Sequence, residues 1–255
     1  MPLHLEEYAF RIAENSLRLG EFIGDADWNL DVKGGLLSFV HPRSGDTLVR
    51  CPAQIVGSES DANGTFLWAW ANTASGLPDT VLQAVNHLRE TAETENADPA
   101  FQTAEPFPLP HPSFSSEAAY LCAGVADGCA VYRCPYDGGA AHVVVMTCPE
   151  LDTLPADSLR AIRAITSCIS VFELDHQAAL HAYAGEPDKN GVYAAKGVRV
   201  TFDEQGRIAN MEATLPSATQ LRTVSTPDAH RTAIPAQTGA ALPPRKSFLD
   251  RLLGR

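Results

Sequence analysis

Apolar residues recur at helical spacing from the start of the chain. Leu5, Tyr8, Ile12, Leu19 and Phe22 share one stripe, and Arg11, Glu14 and Arg18 fall off it. This predicts an amphipathic helix over residues 3–23, ended at Gly24. The period then drops to two. Trp28, Leu30 and Val32 alternate with polar residues up to a Lys33-Gly34-Gly35 turn. Residues 36–40 read as a second strand and residues 47–51 as a third, across a turn at 42–46. Residues 54–58 continue beyond Pro52, whose missing N–H predicts a break, a bulge or an edge. After an Asn63-Gly64 turn, residues 65–72 read as a further strand, FLWAWAN at its heart. Strand geometry puts Phe66, Trp68 and Trp70 on one face and Leu67, Ala69 and Ala71 on the other. Strands joined by such short turns imply an antiparallel sheet.

Helical patterning follows. Thr80-x-x-Gln83 has the capping-box form and opens a helix that buries Val81, Val85, Leu88 and Ala92. Residues 98–113 hold five prolines and read as a loop. Ser115 and Ser116 are N-cap candidates for a short helix to about residue 125. Residues 130–134 and 141–148 pair as a hairpin around Tyr136-Asp137-Gly138-Gly139, and residues 142–146 have the β-branched content of a central strand. Ile162, Ile165, Ile169, Phe172, His176, Leu180 and Tyr183 then step by three and four, which predicts one long helix. A last hairpin pairs residues 192–202 with 207–213. Strands followed by a helix thus occur twice, in residues 28–95 and 129–184, although no residue-by-residue repeat accompanies them. The expected fold is α+β over residues 1–215, an antiparallel sheet packed with helices. It allows two β-meander-plus-helix units, at 1–97 and 114–215.

Charge adds a division that hydrophobic patterning does not show. The 255 residues carry a net charge of −12. Residues 216–255 hold Arg222, Arg231, Arg245, Lys246, Arg251 and Arg255 against Asp228 and Asp250. That sets an acidic body beside a basic tail, and the tail's Pro, Ser, Thr and Ala content predicts a flexible, disordered segment. The tail ends in Phe248, Leu249, Leu252 and Leu253, one apolar face of a short amphipathic helix and a candidate partner contact. A net acidic body disfavours nucleic acid as partner. No apolar run is long enough for a transmembrane helix, and the N-terminus lacks a secretory core, so a cytoplasmic location is expected.

Candidate chemistry is sparse. No nucleophile elbow, P-loop, dinucleotide fingerprint or Cys-x-x-Cys occurs. The six cysteines read as reduced, buried small hydrophobes. Cys148 or Cys168 could meet His142 or His176, but no local signal lowers a thiol. Glu173-x-x-His176 resembles half of a di-iron carboxylate site, and His87-x-x-Glu90 is the nearest second half, in reversed order. That falls short of a usual ligand set, so no metal, cofactor or catalytic residue is expected. Trp28, Trp68, Trp70, Asn72 and His176 remain as candidate lining of a ligand pocket, against a plain core role for the indoles.

The N-terminal helix, the Trp28 strand, residues 54–58 (Gln-x-x-Gly-Ser), FLWAWAN and the Leu-Pro before the next helix together resemble an uncharacterised bacterial domain-of-unknown-function family with a Trp-x-Trp-Ala-Asn core. The resemblance spans roughly residues 5–180 and implies no activity. The leading expectation is an intracellular, non-catalytic binding protein that acts by protein–protein contact. Its partner would be basic, as for an immunity-type protein that neutralises a toxin. The alternative is a small-molecule-binding protein or enzyme with its pocket near Trp68, Trp70 and His176.

Overall fold

The computed structural model describes residues 3–214. The opening stripe folds as a 3-10 turn, Leu5–Glu7, and then helix α1, Ala9–Ile23, which Gly24 ends at φ 54°. Strands β1 (Asp27–Asp31), β2 (Leu36–Val40), β3 (Thr47–Ser60) and β4 (Thr65–Trp68) follow as an antiparallel meander.

Strand β3 organises the sheet. Its first half pairs with β2. Its second half pairs with β4 and with β7 (Gly139–Val145), and β7 in turn pairs with β6 (Ala130–Tyr136). A short β5, Phe107–Pro108, adds to β4. All seven strands form one sheet, so strands from both halves of the chain share a layer. The strand expected over residues 142–146 is central, as its β-branched content implies. Pro52 does not interrupt β3. Its carbonyl accepts from Met146 N at 2.8 Å, where β7 has just ended, so the absent N–H removes no ladder bond there. The irregularity falls instead at Val56, where the register against β7 slips between Ile55 and Gly57.

Helix α1 packs on β6, while α2 (Gln83–Thr94) and α3 (Phe114–Val125) pack on β3, and α3 also on β7. Neither expected cap forms. Leu82, not Thr80, precedes α2, after a 3-10 turn at Asp79–Val81. The residue before α3 is Ser113, which leaves Ser115 buried within the first turn.

Three further elements differ from the sequence expectation. Strand β4 ends at Trp68, and Ala69–Ala71 close into a 3-10 turn that swings Trp70 out of the strand face. The long helix is two helices, α4 (Ser158–Val171) and α5 (His176–Ala184). Asp175 accepts from Gln177 N and Ala178 N and so starts α5 afresh. The last hairpin is a three-stranded sheet of β8 (Tyr193–Ala195), β9 (Val198–Phe202) and β10 (Ile208–Ala213). Lys196 and Gly197, at φ 51° and 78°, make the two-residue turn within it.

Lysine is an unusual choice at positive φ, and its contacts explain it. Lys196 Nζ pairs with Glu14, a fully buried carboxylate of α1, and lies 4.6 Å from the Tyr183 ring centroid. Glu14 also accepts from Tyr183 Oη at 2.7 Å and faces Arg18 at 3.4 Å and Arg160 at 4.0 Å. Arg160, itself buried, turns its Nη1 to Glu21 at 2.5 Å. One buried charge network thus ties α1 to α4, α5 and the small sheet.

Candidate functional site

Phe114, the first residue of α3, is the anchor from which two clefts are built. It packs edge-on against Phe66, Trp68 and Phe107, and tilted against Phe101. Trp68 is buried at the centre of this group, and its Nε1 donates to Ala100 O at 2.8 Å. Phe66 and Trp68 of β4 therefore fix the start of α3. The residues on either side of Phe114 open into different clefts: Ser113 into one and Ser115 into the other.

The larger cleft, about 600 Å³, lies where Leu5–Glu7, the start of α3 and the α4–α5 junction meet. Glu6, Glu117 and Glu173 line it with His4, His111 and Ser113. Glu6 is positioned by Asp175 N, which donates to its Oε1 at 3.3 Å. His111 Nδ1 lies 3.0 Å from Ser113 Oγ, and its Nε2 lies 3.2 Å from Glu117 Oε2. Burial pushes the Glu117 carboxyl up and Asp98 adds to this, while His111 opposes both. A hydroxyl, an imidazole and a carboxylate in series are the parts of a nucleophile relay. The same cleft carries an excess of negative charge.

The smaller cleft, about 230 Å³, lies between the first turn of α3, the end of β3 and the β6–β7 hairpin. Glu59 holds its centre. Arg133 Nε and Nη2 reach Glu59 Oε1 at 2.7 and 2.5 Å. His142 Nε2 approaches Oε2 at 3.3 Å, off the line of a hydrogen bond. Burial alone would raise the Glu59 carboxyl, but the approach of His142 and the Arg133 guanidinium outweigh it and hold the group down at about 2. Ser115 Oγ, buried beside them, has no hydrogen-bond partner.

The residues singled out from sequence are placed separately. Trp28 is half-buried on edge strand β1. Trp70 is half-buried under the Arg89 guanidinium, 4.1 Å from its ring centroid. Asn72 accepts from Ser75 N at 3.3 Å and caps a 3-10 turn. His176 accepts from Ile208 N at 3.1 Å through Nδ1. Its own cleft, about 370 Å³, is lined from residues 174–177 and 205–207, with no tryptophan. Glu173 precedes α5 instead of sharing a helix with His176, so the Glu-x-x-His geometry does not arise. His87 and Glu90 are exposed on α2. Phe248, Leu249, Leu252 and Leu253, like the whole basic tail, lie outside the described residues.

The cysteines are free among the described residues, and all but half-buried Cys129 are buried. Cys168 Sγ donates to Ala9 O at 3.5 Å. Cys148 meets Cys51 instead of a histidine. Cys148 Sγ donates to Glu150 Oε2 at 3.6 Å. The proximity of the Cys51 and Cys148 thiols, with burial adding to it, pushes Cys51 up, and the same proximity lowers Cys148.

The sequence reading missed Glu59, Ser113, Ser115, Glu117 and Arg133, and it gave His111 no role. Only the His111-x-Ser113 pair was detectable locally. No helix of the described residues is long and apolar enough to cross a membrane. A model of a family of unknown function, DUF6882, matches residues 4–149. The match holds both clefts' serines, the Glu59 group and FLWAWAN, and it ends before α4, α5 and the small sheet. No curated protein and no solved structure matches the chain.

Proposed function

The chain belongs to that family of unknown function, and from this premise we propose a non-catalytic, intracellular protein that binds a basic protein partner. The observation that supports it most directly is the larger cleft, a concave surface of about 600 Å³ rimmed by Glu6, Glu117 and Glu173. Concave acidic surfaces draw in cationic side chains and speed their encounter. The raised carboxyl of Glu117 fits such a site, since an incoming Lys or Arg relieves the unfavourable burial of its charge. The chain's net charge of −12 acts in the same direction at longer range. An immunity-type protein, one that occludes a basic toxin, is the concrete form of this reading.

The test is capture of a basic protein from lysate of the source cell by the full chain, with elution by salt. The double variant Glu6→Lys/Glu173→Lys is expected to lose that capture while keeping its fold. A partner retained by the variant, or none at any salt concentration, would refute the reading.

One observation favours a second reading, an acyl-transfer enzyme: the Ser113–His111–Glu117 series at 3.0 and 3.2 Å. A serine-directed fluorophosphonate would then label the chain at Ser113, and Ser113→Ala would abolish the label. An unlabelled wild-type chain removes this reading.

A further inference from the structure

The six cysteines divide into two groups. Burial alone pushes up Cys122, Cys134 and Cys168. Cys51, Cys129 and Cys148 act on one another as well. They come from three segments that meet at one end of the large sheet. Ala53 pairs with Val145 at the end of the β3–β7 ladder, and Met146 N donates to Pro52 O at 2.8 Å one step beyond it. The next step brings Cys51 against Thr147 and Cys148. On the far side of the same segment, Cys129 N donates to Val145 O at 2.8 Å. Neighbouring strands run about 4.8 Å apart, and a disulfide spans Cα atoms about 4.4–6.8 Å apart. Cys51 and Cys148 therefore sit within one strand spacing, their thiols side by side.

The two members of the pair differ in chemistry. The Cys51 thiol, then the Leu151 N–H, hold Cys148 below the ordinary thiol range, against burial and Glu150. The thiolate is the form that attacks an oxidant. Cys148 follows β7 in a bend between exposed Thr147 and Pro149 and keeps 6% of its own surface open. Cys51, 1% exposed, needs no opening, because the sulfur it would meet is that of Cys148. Half-buried Cys129 is pushed up to about 12, by burial first, and so stays a thiol.

We propose that Cys51 and Cys148 form a reversible dithiol–disulfide pair, oxidised by small hydroperoxides and reduced again by free thiols. The Cys148 thiolate attacks the peroxide O–O bond, which gives a sulfenic acid and releases an alcohol, or water from hydrogen peroxide. Cys51 sulfur then displaces water from that sulfenic acid and closes the S–S bond. The two thiols lose two electrons and the peroxide gains them. The bond would tie β3 to the 3-10 turn Pro149–Thr153, on the way to α4. It is separate from both clefts and does not rest on the partner-binding reading.

The test treats the reduced, folded full chain with hydrogen peroxide, blocks the remaining thiols with N-ethylmaleimide and maps the unreduced peptides by mass spectrometry. Two of the six thiols are expected to be lost first, with a Cys51–Cys148 cross-linked peptide that dithiothreitol abolishes. Cys129→Ser is expected to leave the rate of that loss unchanged. Cys51→Ala is expected to stop at a Cys148 sulfenic acid, trapped by dimedone. A bridge from Cys148 to Cys129, bridges between chains only, or a sulfinic acid on Cys148 of the wild type with no bridge would each overturn the proposal. So would a bridge that forms only when urea has unfolded the chain.

Discussion

Replacing Glu59 by Gln tests the electrostatics of the smaller cleft through stability. In the fold its carboxyl falls from an ordinary 4.5 to about 2. At about 1.4 kcal/mol per tenfold change, the ionised form contributes about 3 kcal/mol to the folded state. The side chain is only 15% exposed, so solvent screening takes little of this away. The group is depressed in the fold, so its contribution is complete above the unfolded value. It is lost as pH falls from about 4.5 toward about 2. Glu59→Gln is therefore expected to lose about 3 kcal/mol at neutral pH, where Arg133 and His142 are left facing an amide. The gap between wild type and variant should close as the wild-type carboxyl takes up its proton. Urea unfolding of both proteins, from neutral pH down to about pH 2.5, measures that gap at each step. A gap that stays constant with pH, or one below about 1 kcal/mol at neutral pH, would refute the reasoning.

Two further outcomes can be read from the same unfolding curves. Glu14→Gln should cost about 3 kcal/mol, the low end for breaking a buried ion pair, because Arg160 keeps Glu21. Lys196→Met, at a position about one-third exposed, should cost about 1 kcal/mol or less, and equal costs for the two would refute the network's centring on Glu14. Gly57→Ala would bring a Cβ to 2.4 Å from Phe66 Cζ and 2.6 Å from Leu67 O. A loss of about 1–3 kcal/mol is expected from that overpacking, and unchanged stability would show that β4 yields freely.

Much of the fold was legible because local period and burial agree in it. The β1–β3 meander has alternation on one face and turn residues between strands, and residues 142–146 read as central from their β-branched content, in keeping with the burial of residues 142–145 between β3 and β6. The failures occur where periodicity carries through a change of backbone. Phe172, His176 and Leu180 continue the helical stripe, yet Asp175 starts a new helix in the middle of it. Trp70 keeps the spacing of Phe66 and Trp68, yet the 3-10 turn after Trp68 takes it off the strand face. Lys196 hid a turn because it is a poor residue for positive φ, and its reason for being there is Glu14, far away in sequence. The smaller cleft was illegible on the same ground: Glu59, Ser115, Arg133 and His142 come from separate elements and share no local signature. The acidic total was legible, but the meeting of Glu6, Glu117 and Glu173 at one cleft was not, because they come from elements far apart in the chain.

Strand β3 also dictates the order in which the chain can assemble. The β1–β2–β3–β4 meander needs only short turns, and the β6–β7 hairpin closes over Asp137 and Gly138 alone. These pieces can form within microseconds. Joining them requires residues 53–60 to find residues 139–145 across roughly 80 residues of intervening chain, an entropic toll that local contacts do not share. The docking of the hairpin on β3 is thus the natural late barrier to folding. Until it is crossed, the second half of β3 has an open edge toward β7, and that half-built edge is the surface on which a nascent chain would first aggregate.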